Sequence, residues 1–502
     1  MRRQALAWFA LLVLAQTAFI PGPQDLSADW VEVAPGISYR EFRLSGPNRA
    51  FVARMDRNNP SVTLEISRAT FNGEDFRETV SSMASRHEGA LLAWGPTWGA
   101  RGDVVVAING AFHNRETGIP DGIEVQSGWY TRWDTRTFGG AGFLWTLDRM
   151  ASINLCAHYP SDRQRLVFLD SGVSLPINGV DARLPDEGVV LYTPDSWNGS
   201  PGGEGNVEVV VKMPRPAMII PAPRMTAGLI EQVRRGQSRV SIPFDHLVIT
   251  GRGTAAQVLL ENARPGGHIG ISLEVVDLGH GCNQPRSIDW SHAYAGVAGG
   301  TVFLQDGEIY IPQGIEGIEE HPRTAITYND EYIFFVVVDG RQPGWSLGMT
   351  IEQLALFCRD RLGATWGVNQ DGGGSSTMWL NGVVRNRPSD GYERRVPNGL
   401  MMVVVEPMAR SDAFWPRQGF ELPIDTPLRL GPGFNYAVRV TIPGGESDTI
   451  LDGASGLNGL YATGTYWWYV DVEGLKGWIP QEMLVPDEAG GTQAGAVLPA
   501  FP

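Results

Sequence analysis

Cysteine is scarce in this sequence: Cys156, Cys282 and Cys358 are the three in 502 residues. They form no close pair, which excludes a thiolate zinc site. A Cys156–Cys282 bridge is open to an exported chain, and three unpaired thiols fit equally well. Positive charge is also short. The formal net charge is −15, and no Lys/Arg stripe with interleaved aromatics offsets it, so a nucleic-acid partner is excluded. Beyond the amino terminus there is no long hydrophobic run, hence no later segment that spans a bilayer. Segments of helical period are few. Glycine and proline are plentiful, at 62 and 34 residues, within a chain that is 43% hydrophobic and 19% charged. That balance describes a globular protein of many turns and short strands, long enough for two or three units.

The amino terminus reads as an export signal. Arg2 and Arg3 precede an apolar run from Ala5 to Ala15, and cleavage near Ala18 gives a signal peptide over 1–18. The run breaks at Gln16 and is short for a full crossing. The expected location is therefore secreted, periplasmic or in the cell envelope.

One large unit is expected over 29–406. Its clearest strands are Asp103–Asn109, Tyr332–Val338 and Leu400–Val405, each rich in β-branched or apolar residues. One helix is well punctuated: Thr350 and Gln353 form a capping box, Ile351, Leu354, Ala355, Cys358 and Leu362 share a face, and Gly363 ends it. Shorter helices are expected around Phe76–Arg86 and Ala227–Arg235. Residues 407–427 read as a linker, 428–485 as a small β-unit with strands at Ala437–Ile442 and Tyr466–Val472, and 486–502 as a disordered tail.

The densest chemical signal is Asn369-Gln370-Asp371-Gly372-Gly373-Gly374-Ser375-Ser376-Thr377. Three successive glycines cost conformational entropy, so they call for a reason. Bare backbone approaches a ligand closely and can turn N–H groups inward as an anion nest, while Ser375, Ser376 and Thr377 add hydroxyls. Asn369 and Asp371 are both oxygen ligands, so a divalent cation near them is a rival reading. The Lys of a Walker loop is absent. A second cluster, Asn109-Gly110-Ala111-Phe112-His113, ends a buried strand; alone it is as well explained by an ordinary turn. Arg323, in His321-Pro322-Arg323-Thr324, and Arg341, in Asp339-Gly340-Arg341, offer planar forks for phosphate oxygens, with structural salt bridges the competing explanation. Asn386 to Arg395 forms a polar loop before the last strand.

Taken in order, these segments resemble the phosphodiester glycosidase family, that of the uncovering enzyme. The resemblance rests on Gly348-Met349-Thr350, Asn369 to Thr377, Asn386 with Pro388-Ser389-Asp390-Gly391, and Glu393-Arg394. It extends to Asn109-Gly110, Asn178-Gly179, Gly299-Gly300, His321 to Thr324 and Asp339 to Arg341. Ala111-Phe112-His113 departs from the Gly-Phe-Phe of many relatives. The resemblance implies an α+β domain with a large mixed sheet and the loops converging in one cleft. The C-terminal unit is similar to bacterial SH3-like domains, through Leu430 to Tyr436, Trp467, Trp468 and Gly477-Trp478-Ile479. Such domains often hold cell-wall or peptide ligands.

The implied reaction is hydrolysis at the anomeric C–O bond of a sugar-1-phosphate diester on a glycan or envelope polysaccharide. A phosphate departs more readily than an alkoxide, so one well-placed carboxylate can suffice. Asp371 is the expected nucleophile or base, with Glu393 or Asp339 as second carboxylate. Asn109, Gly110 and Asn178 are expected at the sugar. Arg323, Thr324, Arg341, Gly372 to Thr377, Ser389, Asp390 and Arg394 complete the substrate site. The alternatives are a non-catalytic exopolysaccharide or cell-wall binding protein, and a metal-dependent phosphodiesterase cutting at phosphorus.

Overall fold

A computed structural model describes residues 29–487, apart from 71–75, 96–97, 123, 135–141, 154–156, 159–160, 197–198, 217–225, 237–238, 274–275, 278–291, 312–317 and 453–456. The signal segment, Cys156, Cys282 and the tail beyond 487 lie outside the described residues. Cys358 is free and buried in the core, on the inner face of its helix.

Two sheets form the frame of the large unit. One carries, in order, Val31–Ala34, Ile37–Leu44, Asn48–Asp56, Tyr332–Val338, Arg323–Tyr328, Trp366–Asn369, Val302–Gln305 and Glu308–Ile309. The other centres on Ala100–Asn109, flanked by Met378–Leu380 and Asn398–Glu406, with Val62–Arg68 beyond. Their inner faces share one core, in which Phe51, Ala53, Phe335 and Val337 meet Leu64, Val106, Ile108 and Met402. Strands buried on both faces read as unbroken apolar runs, as Val104 to Ile108 does. A third sheet of thirteen strands runs through the middle of the sequence, and an eight-stranded sheet forms the C-terminal unit.

The expected α+β class is not what the chain adopts. Strands dominate, and the described residues hold three α-helices: α1 (Val80–His87), α2 (Thr254–Asn262) and α3 (Ile351–Leu362). Each covers one sheet: α3 packs on Val52, Phe334 and Val336, α1 on Val104 and Met401, and α2 on the thirteen-stranded sheet. The short apolar runs between Gly and Pro are too brief for stable helices and gain their hydrogen bonds from one another. Residues 227–235, expected as a helix, belong to the strand Thr226–Arg235, which pairs with both Val207–Lys212 and His268–Leu273. Pairing on both edges outweighs a helical alternation of this length. The α3 capping box and the left-handed Gly363 are present as expected.

Part of the segment read as a linker is structured. Gly419–Glu421 pairs with Ser447–Ile450, and Thr426–Arg429 with Val438–Ile442. Trp467, Trp468 and Trp478 are buried in cores. Trp478 also meets Phe244 of the large unit edge-on at 5.9 Å between ring centroids. No helix among the described residues is long and apolar enough to cross a membrane, which says nothing of a β-barrel.

Candidate active site

The strand Ala100–Asn109 ends with its last side chain fully buried between two neighbouring segments. Asn109 Nδ2 donates to the Asp371 carbonyl at 2.6 Å, and Asn109 Oδ1 accepts from the Thr324 hydroxyl at 2.8 Å and the Thr377 N–H at 3.2 Å. The Asp371 N–H in turn donates to the Gly110 carbonyl at 3.0 Å. Three segments distant in sequence are thereby locked together. Asn109 was expected to hold sugar hydroxyls; its amide is instead occupied within the protein, which makes it a positioning residue.

Above this bracket opens a cavity of about 910 Å³. Asp371, Asn369, Gly372, Gly373 and Gly374 form part of its wall, with His113, Arg323, Arg341 and Arg394 around them. Five arginines line it in all, Arg77 and Arg115 completing the set, against the two carboxylates Asp371 and Glu319. In a chain with net charge −15, such a concentration of guanidinium groups marks an anion-receiving site.

The glycines here serve mainly close packing. Gly373 has φ +63°, and a Cβ on Gly374 would fall 2.1 Å from Arg394 Nη2 and 2.2 Å from Asp390 Oδ2. The N–H groups of Gly373, Ser375 and Ser376 donate to the carbonyls of Pro322, Gly372 and Gly373. The anion nest is therefore smaller than the sequence suggested: among the described residues only the Gly372 and Gly374 N–H groups of this turn are left for a ligand.

Burial pushes the Asp371 carboxyl above its usual range, against a hydrogen bond from Ser375 and the charges of His113, Arg394 and Arg115. His113 Nδ1 lies 3.7 Å from Asp371 Oδ2 and is buried without a hydrogen-bond partner. Burial holds this imidazole below its usual range although the Asp371 charge opposes it. Arg323 donates through Nε to the Met349 carbonyl at 2.8 Å and through Nη2 to the Glu319 carbonyl at 2.9 Å. Burial, with the charge of Arg341, lowers it to about 10. Two cations that repel across a cavity are relieved by an anion between them. Arg341 Nε also reaches His321 Nδ1 at 3.4 Å, and His321 Nε2 meets Glu319 at 3.0 Å.

Other expected site residues lie behind or away from the cavity. Thr324, Ser375, Ser376 and Thr377 are buried beneath the turn. Asp390 holds Arg394 through Nε and Nη2, at 2.9 and 2.6 Å. Ser389 has a buried, unpartnered hydroxyl and does not line the cavity. Glu393, expected as a second carboxylate, accepts from the Ser81 N–H at 2.7 Å and the Ser81 hydroxyl at 2.6 Å, so it serves the first turn of α1. Asp339, the other candidate, accepts from Trp345 Nε1 at 2.8 Å, Asn386 Nδ2 at 3.1 Å and the Arg387 N–H at 3.0 Å, and braces the 386–395 loop. Asn178 lies between two strands of the thirteen-stranded sheet, Ser174–Pro176 and Gly179–Val180, accepting from the Val189 N–H, and does not line the cavity. Sequence reasoning missed Arg77, Arg115 and Glu319; none sits in a motif, so no local signal could have found them.

For a divalent cation, Asn369 Oδ1 is buried, unpartnered and beside Asp371 in the same cavity. Among the described residues no group of three His, Cys, Asp or Glu could hold a metal ion.

No curated protein matches this sequence. Among the solved structures that are similar at low identity are the following three. A hypothetical protein from Synechocystis shares 17% identity at TM-score 0.48, over 75% of this chain and 63% of its own, so this chain spans less than two thirds of it. A Burkholderia pseudomallei K96243 protein described as exported shares 20% at TM-score 0.45, over 72% and 74%. The zebrafish N-acetylglucosamine-1-phosphodiester alpha-N-acetylglucosaminidase catalytic domain, auto-inhibited by its pro-peptide, shares 15% at TM-score 0.32, over 76% and 87%. Residues 243–403, the stretch that carries Arg323, Arg341, Asp371 and Arg394, match the phosphodiester glycosidase family.

Proposed function

We propose that the protein is an exported hydrolase that cleaves the sugar C1–O bond of sugar-1-phosphate diesters on glycans or envelope polysaccharide. The observation that carries this reading is that Asp371, Arg323 and Arg341 line one cavity within the family-matched stretch. In the proposed step a water oxygen bonds to C1 and its proton passes to the Asp371 carboxylate. The bond from C1 to the ester oxygen breaks, and its electron pair leaves with the phosphate monoester. Arg323, Arg341 and the N–H groups of Gly372 and Gly374 receive the phosphate oxygens, where charge builds as the bond breaks. His113 stands beside Asp371 where many relatives carry an aromatic ring, and shapes the sugar-facing wall. The C-terminal β-unit is read as an SH3-like module for a cell-wall or peptide ligand.

The test is a panel of sugar-1-phosphate diesters turned over in ¹⁸O-labelled water. The reading requires label in the released sugar and loss of turnover in Asp371→Asn. Full turnover by that variant removes Asp371 from the reaction. Label in the phosphate indicates attack at phosphorus, and no release from any diester leaves a binding protein.

A further inference from the structure

The cavity at Asp371 holds more positive charge than the proposed reaction uses. In that reaction Arg323 and Arg341 receive the phosphate oxygens, and Arg394 is already bound to Asp390 at 2.6 Å. Arg115 lines the same cavity, is exposed, and makes no ion pair or side-chain hydrogen bond with any described residue. The nearby acids do not answer it. Glu319 turns to His321 Nε2 at 3.0 Å with its side chain 74% exposed, and the charge of Asp121 acts on His113. The charge of Arg115 acts on Asp371, but that carboxyl is the proposed base and burial favours its neutral form.

The arginines are also held by different segments. Arg323 is fixed through the carbonyls of Met349 and Glu319, and Arg341 through His321, whose backbone pairs with Met349. Arg115 instead stands on the hairpin 112–121, which is closed by bonds from the Asp121 N–H to the Phe112 carbonyl at 2.8 Å and from the Asn114 N–H to the Ile119 carbonyl at 2.9 Å. Arg77 Nη1 braces that hairpin by donating to the Arg115 carbonyl at 3.1 Å. The same hairpin brings His113 Nδ1 to 3.7 Å from Asp371 Oδ2. A diester carries one negative charge, on the oxygens taken by Arg323 and Arg341. A guanidinium on a separate, braced segment is matched by a second anion, since a carboxylate or phosphate accepts its paired N–H groups far better than a sugar hydroxyl does.

We infer that the substrate is doubly anionic: a sugar-1-phosphate diester with a second negative group, on the sugar or on the esterified alcohol, that Arg115 receives. This rests on the function proposed above, from which it takes the diester at Arg323 and Arg341 but not the cleavage step. It defines the substrate class as an acidic glycan, and it assigns the hairpin 112–121 the selection of charge beside the reacting centre.

The experiment is calorimetric titration of the full chain carrying Asp371→Asn, so that diesters are bound and not consumed. The singly charged probes are the methyl diesters of glucose, N-acetylglucosamine, mannose and galactose 1-phosphates. The doubly charged probes are the methyl diesters of glucuronic and galacturonic acid 1-phosphates, with the anion on the sugar, and the 3-phosphopropyl diesters of the same neutral sugars, with it on the alcohol. At least one doubly charged diester is expected to bind about fivefold or more tightly than its singly charged counterpart, the size of a well-formed exposed ion pair, and the advantage should shrink as salt is raised. Arg115→Gln should erase that preference and Arg115→Glu reverse it, with circular dichroism confirming that both fold. The inference is overturned if no doubly charged diester shows the fivefold advantage, or if the preference survives in Arg115→Gln, which would assign the second anion to other groups. A preference without release of sugar from any diester sinks the hydrolase reading alone; release of sugar without a preference sinks this inference alone.

Discussion

Replacing Asn109 with leucine tests whether one buried amide holds the reaction centre together. The side chain makes three hydrogen bonds, to the Asp371 carbonyl, the Thr324 hydroxyl and the Thr377 N–H, and is fully buried. Leucine is similar in size and makes none of them. The Thr324 hydroxyl can rotate toward another acceptor, but the Asp371 carbonyl and the Thr377 N–H are held by backbone. Two stranded buried groups at about 1–3 kcal/mol each give a loss of about 2–6 kcal/mol. That is a large share of the roughly 5–15 kcal/mol typical of a folded domain. Asn109→Asp separates the contributions. As a carboxylate it keeps both acceptor bonds but sets an oxygen against the Asp371 carbonyl; protonated, it donates there and restores all three. Urea unfolding with linear extrapolation, alongside turnover in the diester assay, should show Asn109→Leu strongly destabilised and inactive. Asn109→Asp should approach the parent as pH falls. The reasoning is refuted if Asn109→Leu unfolds within about 0.5 kcal/mol of the parent, the range of ordinary surface substitutions, or if the Asn109→Asp deficit is independent of pH.

Four further outcomes are expected. Because burial raises the Asp371 carboxyl, its stabilising effect is complete below the unfolded value of 3.8 and is lost as pH rises through its folded value. Asp371→Asn should therefore melt above the parent at pH 8 while losing activity, and calorimetry checks this. Gly374→Ala puts a methyl group 2.1 Å from Arg394 Nη2, so it should displace Arg394 and raise KM about tenfold or more, the loss of a charged hydrogen bond; steady-state kinetics reads it. Burial pulls His246 down, but its hydrogen bonds to Asp245 and Glu231 prevail and push it up to about 9. The resulting stability is complete below the unfolded value of 6.5 and lost as pH rises through about 9; Tm should fall over that window, and His246→Gln should flatten the fall. Glu393→Gln weakens the charged cap on Ser81 and should cost about 0.5–2 kcal/mol with kcat retained. A kcat loss above about 100-fold, the size of an acid–base contribution, would restore Glu393 as catalytic.

Reading the sequence succeeded where the signal was local. The strand Tyr332–Val338 and the capped helix ending at Gly363 are written in neighbouring residues, through burial pattern and turn chemistry. Asp371, Arg323, Arg341 and Arg394 were legible because their motifs combine charged forks with bare backbone, and they do line one cavity. Glu393 and Asp339 carry the same functional group as Asp371, and nothing in the chain near them reveals that Ser81, Trp345 and Asn386 would claim their oxygens. Residues 227–235 failed for a related reason, since partners from 207–212 and 268–273 settled their conformation.

The sequence by itself determined the punctuation of the chain, the acidic overall charge and the residue types able to receive an anion. Only the tertiary structure decided which of them face the cavity, that Asn109 is a bracket and not a ligand, and that Arg77, Arg115 and His113 stand around Asp371. The physical reason is that propensity and capping act within a few residues. Hydrogen bonding and desolvation, which assign a buried carboxylate its role, depend on segments that meet only after the sheets have packed.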